Sequence, residues 1–358
     1  MTRPHDGRPI LITGGAGFIG SNLADRLAGE GHEIVVFDAL SRPGVERNLA
    51  WLRERHGSRI TSIVADVRDE DALAQAAADV KAVFHLAAQV AVTTSLVDPR
   101  EDFDINVRGT INLLDAIRVR KEPVPVIFAS TNKVYGDLAD IAIEPRGDRY
   151  EPRALFSRRG VDESRPLDFH TPYGCSKGAA DQYVLDYSRS FGIPTVVFRM
   201  SCIYGQRQMG TEDQGWVAHF LIRALEGEPV TIYGDGKQVR DVLDVGDAVN
   251  AYAGALQSID RVAGRAFNLG GGPENAISLL QLVDEIGAVT GRKPDLSFED
   301  WRPGDQRWYV SDTHEARTEL GLPALRGWRD GVARLGAWLA DERGLELRPE
   351  RELVGAAE

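Results

Sequence analysis

The stretch that most constrains this chain runs from residue 8 to residue 38. An apolar run, "RPILIT" (8–13), leads into "GGAGFIG" (14–20). "SNLADRLAGEG" (21–31) follows with apolar residues at helical spacing, and "HEIVVFD" (32–38) is a second apolar run. Gly14, Gly15, Gly17 and Gly20 therefore stand where a strand hands over to a helix. They satisfy both G-x-G-x-x-G and the wider G-x-x-G-x-x-G. Without side chains there, the backbone can approach a pyrophosphate, which rests on the helix N-terminus. Asp38 ends the next strand, where a carboxylate accepts from adenosine ribose hydroxyls. Because it would repel a 2′-phosphate, NAD is expected over NADP, with nearby Arg42 weighing the other way. Asp66 ends the third strand and either holds the adenine edge or caps the helix after it.

Four more short apolar runs follow: "RITSIVAD" (59–66), "AVFHLAA" (82–88), "VPVIFAS" (124–130) and "GIPTVVFR" (192–199). Helical patterns such as "DEDALAQAAAD" (69–79) and "INVRGTINLLDAIR" (105–118) lie between them. Strands alternating with helices predict an α/β, Rossmann-type doubly wound parallel sheet. The dinucleotide-binding domain is expected over 1–199, with 241–270 returning to it. A smaller, mostly C-terminal substrate-binding domain is expected from 200–240 and 271–345, and 346–358 reads as a frayed tail.

Composition narrows the partners. Asp and Glu number 54 against 42 Lys and Arg, a formal charge of −12, which disfavours nucleic acid. An anionic small ligand would need arginines focused in a cleft. No apolar run reaches the roughly 18 residues of a membrane span. "MTRPHDGRPI" has no apolar core, so it does not read as a secretory signal. Cys175 and Cys202 match no disulfide framework and no metal-ligand spacing, so no metal is expected and a cytoplasmic setting fits.

The chemistry is concentrated in "STNKVYGD" and "TPYGCSKGAADQY". Thr171 and Pro172 signal a helix start, placing Tyr173 and Lys177 at i and i+4 on one face. A phenol, with its pKa of about 10, is a poor base at neutral pH. A neighbouring ammonium stabilises its anion, which can then take a proton from a sugar hydroxyl. Thr131, ending the fifth strand, can bind the same hydroxyl. His85 in "FHLAA" reads as a buried structural histidine.

With "ITGGAGFIGSNL", "HLAAQV", "DINVRGT", "VYG", "PYGCSK" and "RDVLDV", the chain resembles the extended short-chain dehydrogenases/reductases that act on nucleotide sugars, from about residue 8 to about residue 340. Longer stretches, "FDALSRPGVERNLAWL", "HLAAQVAVTTS", "FHTPYGCSKGAADQYVLDY" and "DQGW", resemble the branch that interconverts CDP-paratose and CDP-tyvelose at sugar C2 with tightly bound NAD. The resemblance implies Thr131, Tyr173 and Lys177 as the catalytic set. It implies cofactor contacts from Gly14, Gly17, Phe18, Ile19, Gly20, Asp38, Asp66, Val67, Leu86, Ala87, Ala88, Gln89 and Lys177, with Asn106 bracing the backbone. Substrate contacts are implied from Gln89, Thr131, Asn132, Lys133, Tyr173, Met200, Cys202, Gln214 and Trp216, with Trp216 equally open to a packing role. Arg240 and Arg302 match diphosphate clamps, a task that suits the guanidinium fork. Met200 and Cys202 stand where the branch's pattern has His and Ser.

The resemblance also separates competing functions. Dehydratases of the family follow the threonine with Asp-Glu, and decarboxylases place Glu before V-Y-G. Here Asn132 and Lys133 supply neither acid. A 4-epimerase uses the same catalytic set and remains the enzymatic alternative, and a non-catalytic NAD-binding regulator is the other. A CDP-hexose is the expected substrate, and a homodimer or homotetramer the expected assembly.

Overall fold

The computed structural model describes residues 7–154, 159–302 and 304–347. The expected tail thus lies outside the described residues from 348 onward.

Seven strands form the central sheet: β1 (Ile10–Thr13), β2 (Ile34–Asp38), β3 (Ile60–Val64), β4 (Ala82–His85), β5 (Val126–Thr131), β6 (Thr195–Met200) and β7 (Arg265–Leu269). They run parallel in the spatial order 7-6-5-4-1-2-3. Consecutive side chains of a strand point to opposite faces, and both faces here are covered. In β1, Ile10 and Ile12 join one hydrophobic cluster and Leu11 joins the other. In β5, Ile127 and Ala129 separate from Val126 and Phe128 in the same way. The order reverses between β1 and β4, opening a crevice at the carboxyl ends of these strands.

Helix α1 (Phe18–Gly29) begins three residues earlier than its apolar periodicity suggests, because Gly17 is the residue that caps it. Helix α2 (Thr171–Phe191) carries the tyrosine and lysine. Its Thr171 hydroxyl accepts from Gly174 N at 3.3 Å, the bond that a Thr-Pro start predicts. A second group of elements forms its own small sheet and helical layer, with Leu243 reaching the core of the central sheet. The strand Val239–Asp244 pairs with Cys202–Tyr204, Ala276–Ser278 and Trp308–Tyr309. Helix α3 (Trp216–Glu226) shares a core with the helices Leu279–Thr290 and Trp328–Arg343, through residues such as Phe220, Leu282 and Leu335. No helix among the described residues is long and apolar enough to cross a membrane.

Candidate active site

A cleft of about 500 Å³ opens at the crevice, with the glycine turn as its floor. Gly14 has φ of +67°, and an added Cβ would lie 2.7 Å from Ala87 N. A Cβ on Gly20 would sit 2.2 Å from Gly14 O. These glycines are therefore forced by close approach of the turn to β4 and to α1. No side chain caps α1 and no acid occupies its first turn, so its leading N–H groups are open to an anion. Asp38 grips the turn itself: its carboxylate accepts from Ala16 N at 3.0 Å and Leu40 N at 2.9 Å. Burial pushes its pKa up. Beside it, Asn48 is 1% exposed and its Oδ1 has no partner, an acceptor suited to a ribose hydroxyl. An uncapped helix end, a side-chain-free turn and these acceptors fit a dinucleotide.

Asp66, Val67, Leu86, Ala87 and Ala88 line the same wall. Asp66 does not cap the following helix; Asp69 does, accepting from Ala72 N. Asp66 instead binds Arg68 through both oxygens, at 2.9 and 2.8 Å, and that pairing holds its pKa down.

The reactive trio converges from two elements. Thr131 ends β5 and Tyr173 opens α2, both buried, and the threonine Oγ1 accepts from Lys133 N at 3.2 Å beside the phenol. Burial pushes the Tyr173 phenol up to about 12, against the lowering effect of Thr131. Lys177, one turn on, lies 4.2 Å from the Phe128 ring centroid. Burial pulls its ammonium down to about 7, while Asp181 and Asp102 act to raise it. Behind the trio, Asp181 accepts from Arg199 Nε at 3.0 Å and Nη2 at 3.1 Å, and from Ser130 Oγ at 2.8 Å. This buried pair ties α2 to β5 and β6. His85 is enclosed between Thr13 and Thr110, and burial pulls its pKa down to about 3, in keeping with a structural role.

Gln89 and Asn106 stand off the cleft wall. Gln89 turns its amide back onto Ala91, with Nε2 donating to Ala91 O at 2.8 Å, and is not part of the lining. Asn106 stands behind it, bonded both ways to the Gln89 backbone at 2.9 and 3.0 Å. Asn132, Lys133, Met200, Cys202, Gln214 and Trp216 line the end beyond the trio. Trp216 Nε1 donates to Cys202 Sγ at 3.3 Å, and Tyr252 lies 3.2 Å from Met200 Sδ. Arg240 and Arg302 are outside this lining, and each is paired with a carboxylate. Arg240 contacts Asp305 at 2.6 Å; Arg302 contacts Glu212 at 3.0 Å and stacks 3.7 Å from the Tyr233 ring centroid.

The comparisons with known proteins agree with this geometry. Residues 10–270 match the model of the NAD dependent epimerase/dehydratase family. The chain belongs to that family. It is 43% identical to a CDP-paratose 2-epimerase of Salmonella typhi, over 92% of this chain and 98% of the relative. It is 32% identical to a UDP-glucose 4-epimerase of Mycolicibacterium smegmatis, over 90% of this chain and 96% of that protein. Among solved structures, a Thermus thermophilus UDP-glucose 4-epimerase in complex with NAD superposes with a TM-score of 0.77 at 30% identity, covering 92% of this chain and 98% of that one. A Bacillus cereus UDP-glucuronic acid 4-epimerase with UDP-glucuronic acid and NAD gives 0.80 at 28%, covering 93% and 99%. As a family member the chain is an extended short-chain dehydrogenase/reductase, an enzyme of the epimerase type, and NAD is its cofactor.

Several lining residues carry no signature in the sequence. Asn48, Arg207 and Met209 border the cleft near Asp38, and Ser201 borders it near Met200. Their positions depend on contacts between segments far apart in the chain. A single "GQRQMG" after a strand is the hint of an ordered turn at Arg207.

Proposed function

We propose that this enzyme inverts C2 of a nucleotide-linked hexose, a CDP-hexose of the CDP-paratose/CDP-tyvelose kind, through a transient 2-keto sugar. The observation that carries the reading is the convergence of buried Thr131, Tyr173 and Lys177 on one cleft, with no carboxylic acid following the threonine. The identity of 43% to a CDP-paratose 2-epimerase supports this choice of sugar and carbon.

When bound, NAD supplies the acceptor and donor of hydride. Thr131 holds the C2 hydroxyl oxygen, and Tyr173 takes its proton and later returns it. The Lys177 ammonium favours the phenolate. Asn132 and Lys133 leave the site without an acid to expel water, which separates this reaction from dehydration. Arg240 and Arg302 would exchange Asp305 and Glu212 for the diphosphate and hold it while the sugar turns its other face. Residues 200–240 and 271–345 would thus bind the nucleotide sugar, and 1–199 with 241–270 the cofactor. A homodimer or homotetramer in the cytoplasm suits an enzyme whose cysteines, Cys175 and Cys202, are both free thiols.

Incubation with CDP-, UDP-, dTDP- and GDP-hexoses, with products read by NMR, tests the reading. Inversion at C2 of a CDP-hexose supports it. Met200 and Cys202 depart from the branch's pattern at the sugar end, and for that reason inversion at C4 is the second reading; C4 inversion with C2 untouched would establish it.

A further inference from the structure

We propose that residues 205–209 form a strap over the adenosine end of the cofactor site, with Arg207 as the pin that retains NAD. The proposal rests on NAD binding at the glycine turn.

Asp38 marks the end of the cleft where the adenosine ribose belongs. The wall continues from Asp38 through Arg42, Val45 and Asn48 to Arg207 and Met209. The latter two come from the segment after β6, more than 150 residues away in the chain. Five contacts fasten this segment. Asn22 Nδ2 donates to Gln206 O at 3.0 Å, and Asn48 Nδ2 donates to Arg207 O at 3.2 Å. Met209 packs on Gly44 so closely that a Cβ there would lie 2.9 Å from Met209 Cγ. The Arg207 guanidinium lies 4.0 Å from the Trp51 ring centroid and 5.5 Å from that of Trp338. Trp51 belongs to the helix Val45–His56 and Trp338 to the helix Trp328–Arg343. Arg207 therefore pins the strap between two elements that the chain brings together at the cleft mouth.

Its backbone agrees. Arg207 has φ of +70°, a conformation that a bulky side chain adopts only when its surroundings impose it. Asn48 is the second sign of a ligand here. One side of its amide holds the glycine turn at Ala16 O and the strap at Arg207 O, while Oδ1 is buried on the cleft wall without a partner. A dinucleotide seated at the turn would lie under the strap, so release requires the strap to lift. An enzyme that re-reduces the carbon it oxidises gains from such retention.

The test uses purified full-length protein. Bound NAD per chain is measured after gel filtration and heat denaturation, and exchange with isotopically labelled NAD is timed. Arg207→Ala should exchange NAD at least about tenfold faster than the wild type, since two face-on cation contacts are lost. Arg207→Lys should also be fast, because an ammonium lacks the planar face. Met209→Ala should shift exchange in the same direction without disturbing either tryptophan helix. Melting temperature at saturating NAD is recorded in parallel. A lower melting temperature with unchanged exchange in Arg207→Ala and Met209→Ala would overturn the strap and leave Arg207 a packing residue. A wild type that neither carries nor binds NAD would overturn the cofactor reading itself, and the strap with it.

Discussion

Asp181→Asn is the substitution whose consequences follow most directly from the buried polar network. Asp181 is fully buried and its partner Arg199 is 5% exposed. The carboxylate accepts both ends of the guanidinium fork and the Ser130 hydroxyl. An amide has one oxygen to replace two, and its NH₂ would face a cation. Removing one partner of a buried ion pair costs about 3–5 kcal/mol, because the other charge is left uncompensated. At roughly 2.1 cal/mol/K of unfolding entropy per residue, a chain of 358 residues has about 0.75 kcal/mol/K. The melting temperature should therefore fall by about 4–7 °C in a thermal-shift or calorimetric assay at saturating NAD. The same substitution reaches the chemistry. Asp181 lies one turn beyond Lys177 and is the first of the charges that raise its pKa against burial. Without it the ammonium, held at about 7, drops further, and the charged form is lost at lower pH. The alkaline fall of kcat/KM should then move to lower pH in Asp181→Asn, with part of the activity recovered on acidification. A shift in melting temperature below about 1 °C, or an unmoved alkaline limb, would refute the reasoning about this network.

Tyr173→Phe should keep its fold and its NAD but lose at least about a hundredfold in turnover, the lower range for acid–base catalysis; near-normal rates by NMR progress curves would remove Tyr173 from the mechanism. Gly20→Ala should yield protein with little NAD and reduced stability, since its Cβ would sit 2.2 Å from Gly14 O; full NAD content after gel filtration would show that the turn can shift. Glu163 lies partly buried with its pKa raised to about 7, mainly by desolvation. The folded chain binds its proton more tightly than the unfolded chain, so this group makes stability fall as pH rises from about 4.5 to about 7. Glu163→Gln should flatten that part of the denaturation profile, and an unchanged slope would contradict it.

What could be read in advance was whatever a single element encodes. The glycine turn lies within one strand–helix unit, and Tyr173 and Lys177 within one helical turn, so spacing alone placed both. Gln89 was harder, because its amide folds onto Ala91 and that depends on loop conformation. The pairing of Arg302 with Glu212 crosses 90 residues, and that of Arg240 with Asp305 crosses 65. No local pattern reports such partners, so a clamp and a paired arginine look alike in sequence. The same holds for Arg207 between Trp51 and Trp338. Asp66 and Asp69 differ by three positions, and which of them caps the helix was decided by backbone geometry rather than residue type.

The central claim is that C2 is the carbon that reacts and that its hydrogen never leaves the site. The C2 hydrogen of the starting sugar has no adjacent carbonyl and is not acidic, so simple deprotonation offers no route. A CDP-hexose carrying deuterium at C2 tests this directly, with the product analysed by NMR and mass spectrometry and a parallel reaction run in D₂O. The account predicts that the label reappears at C2 of the epimer and that D₂O introduces little deuterium there. Loss of the label to solvent, or turnover that leaves C2 unaltered, would contradict it.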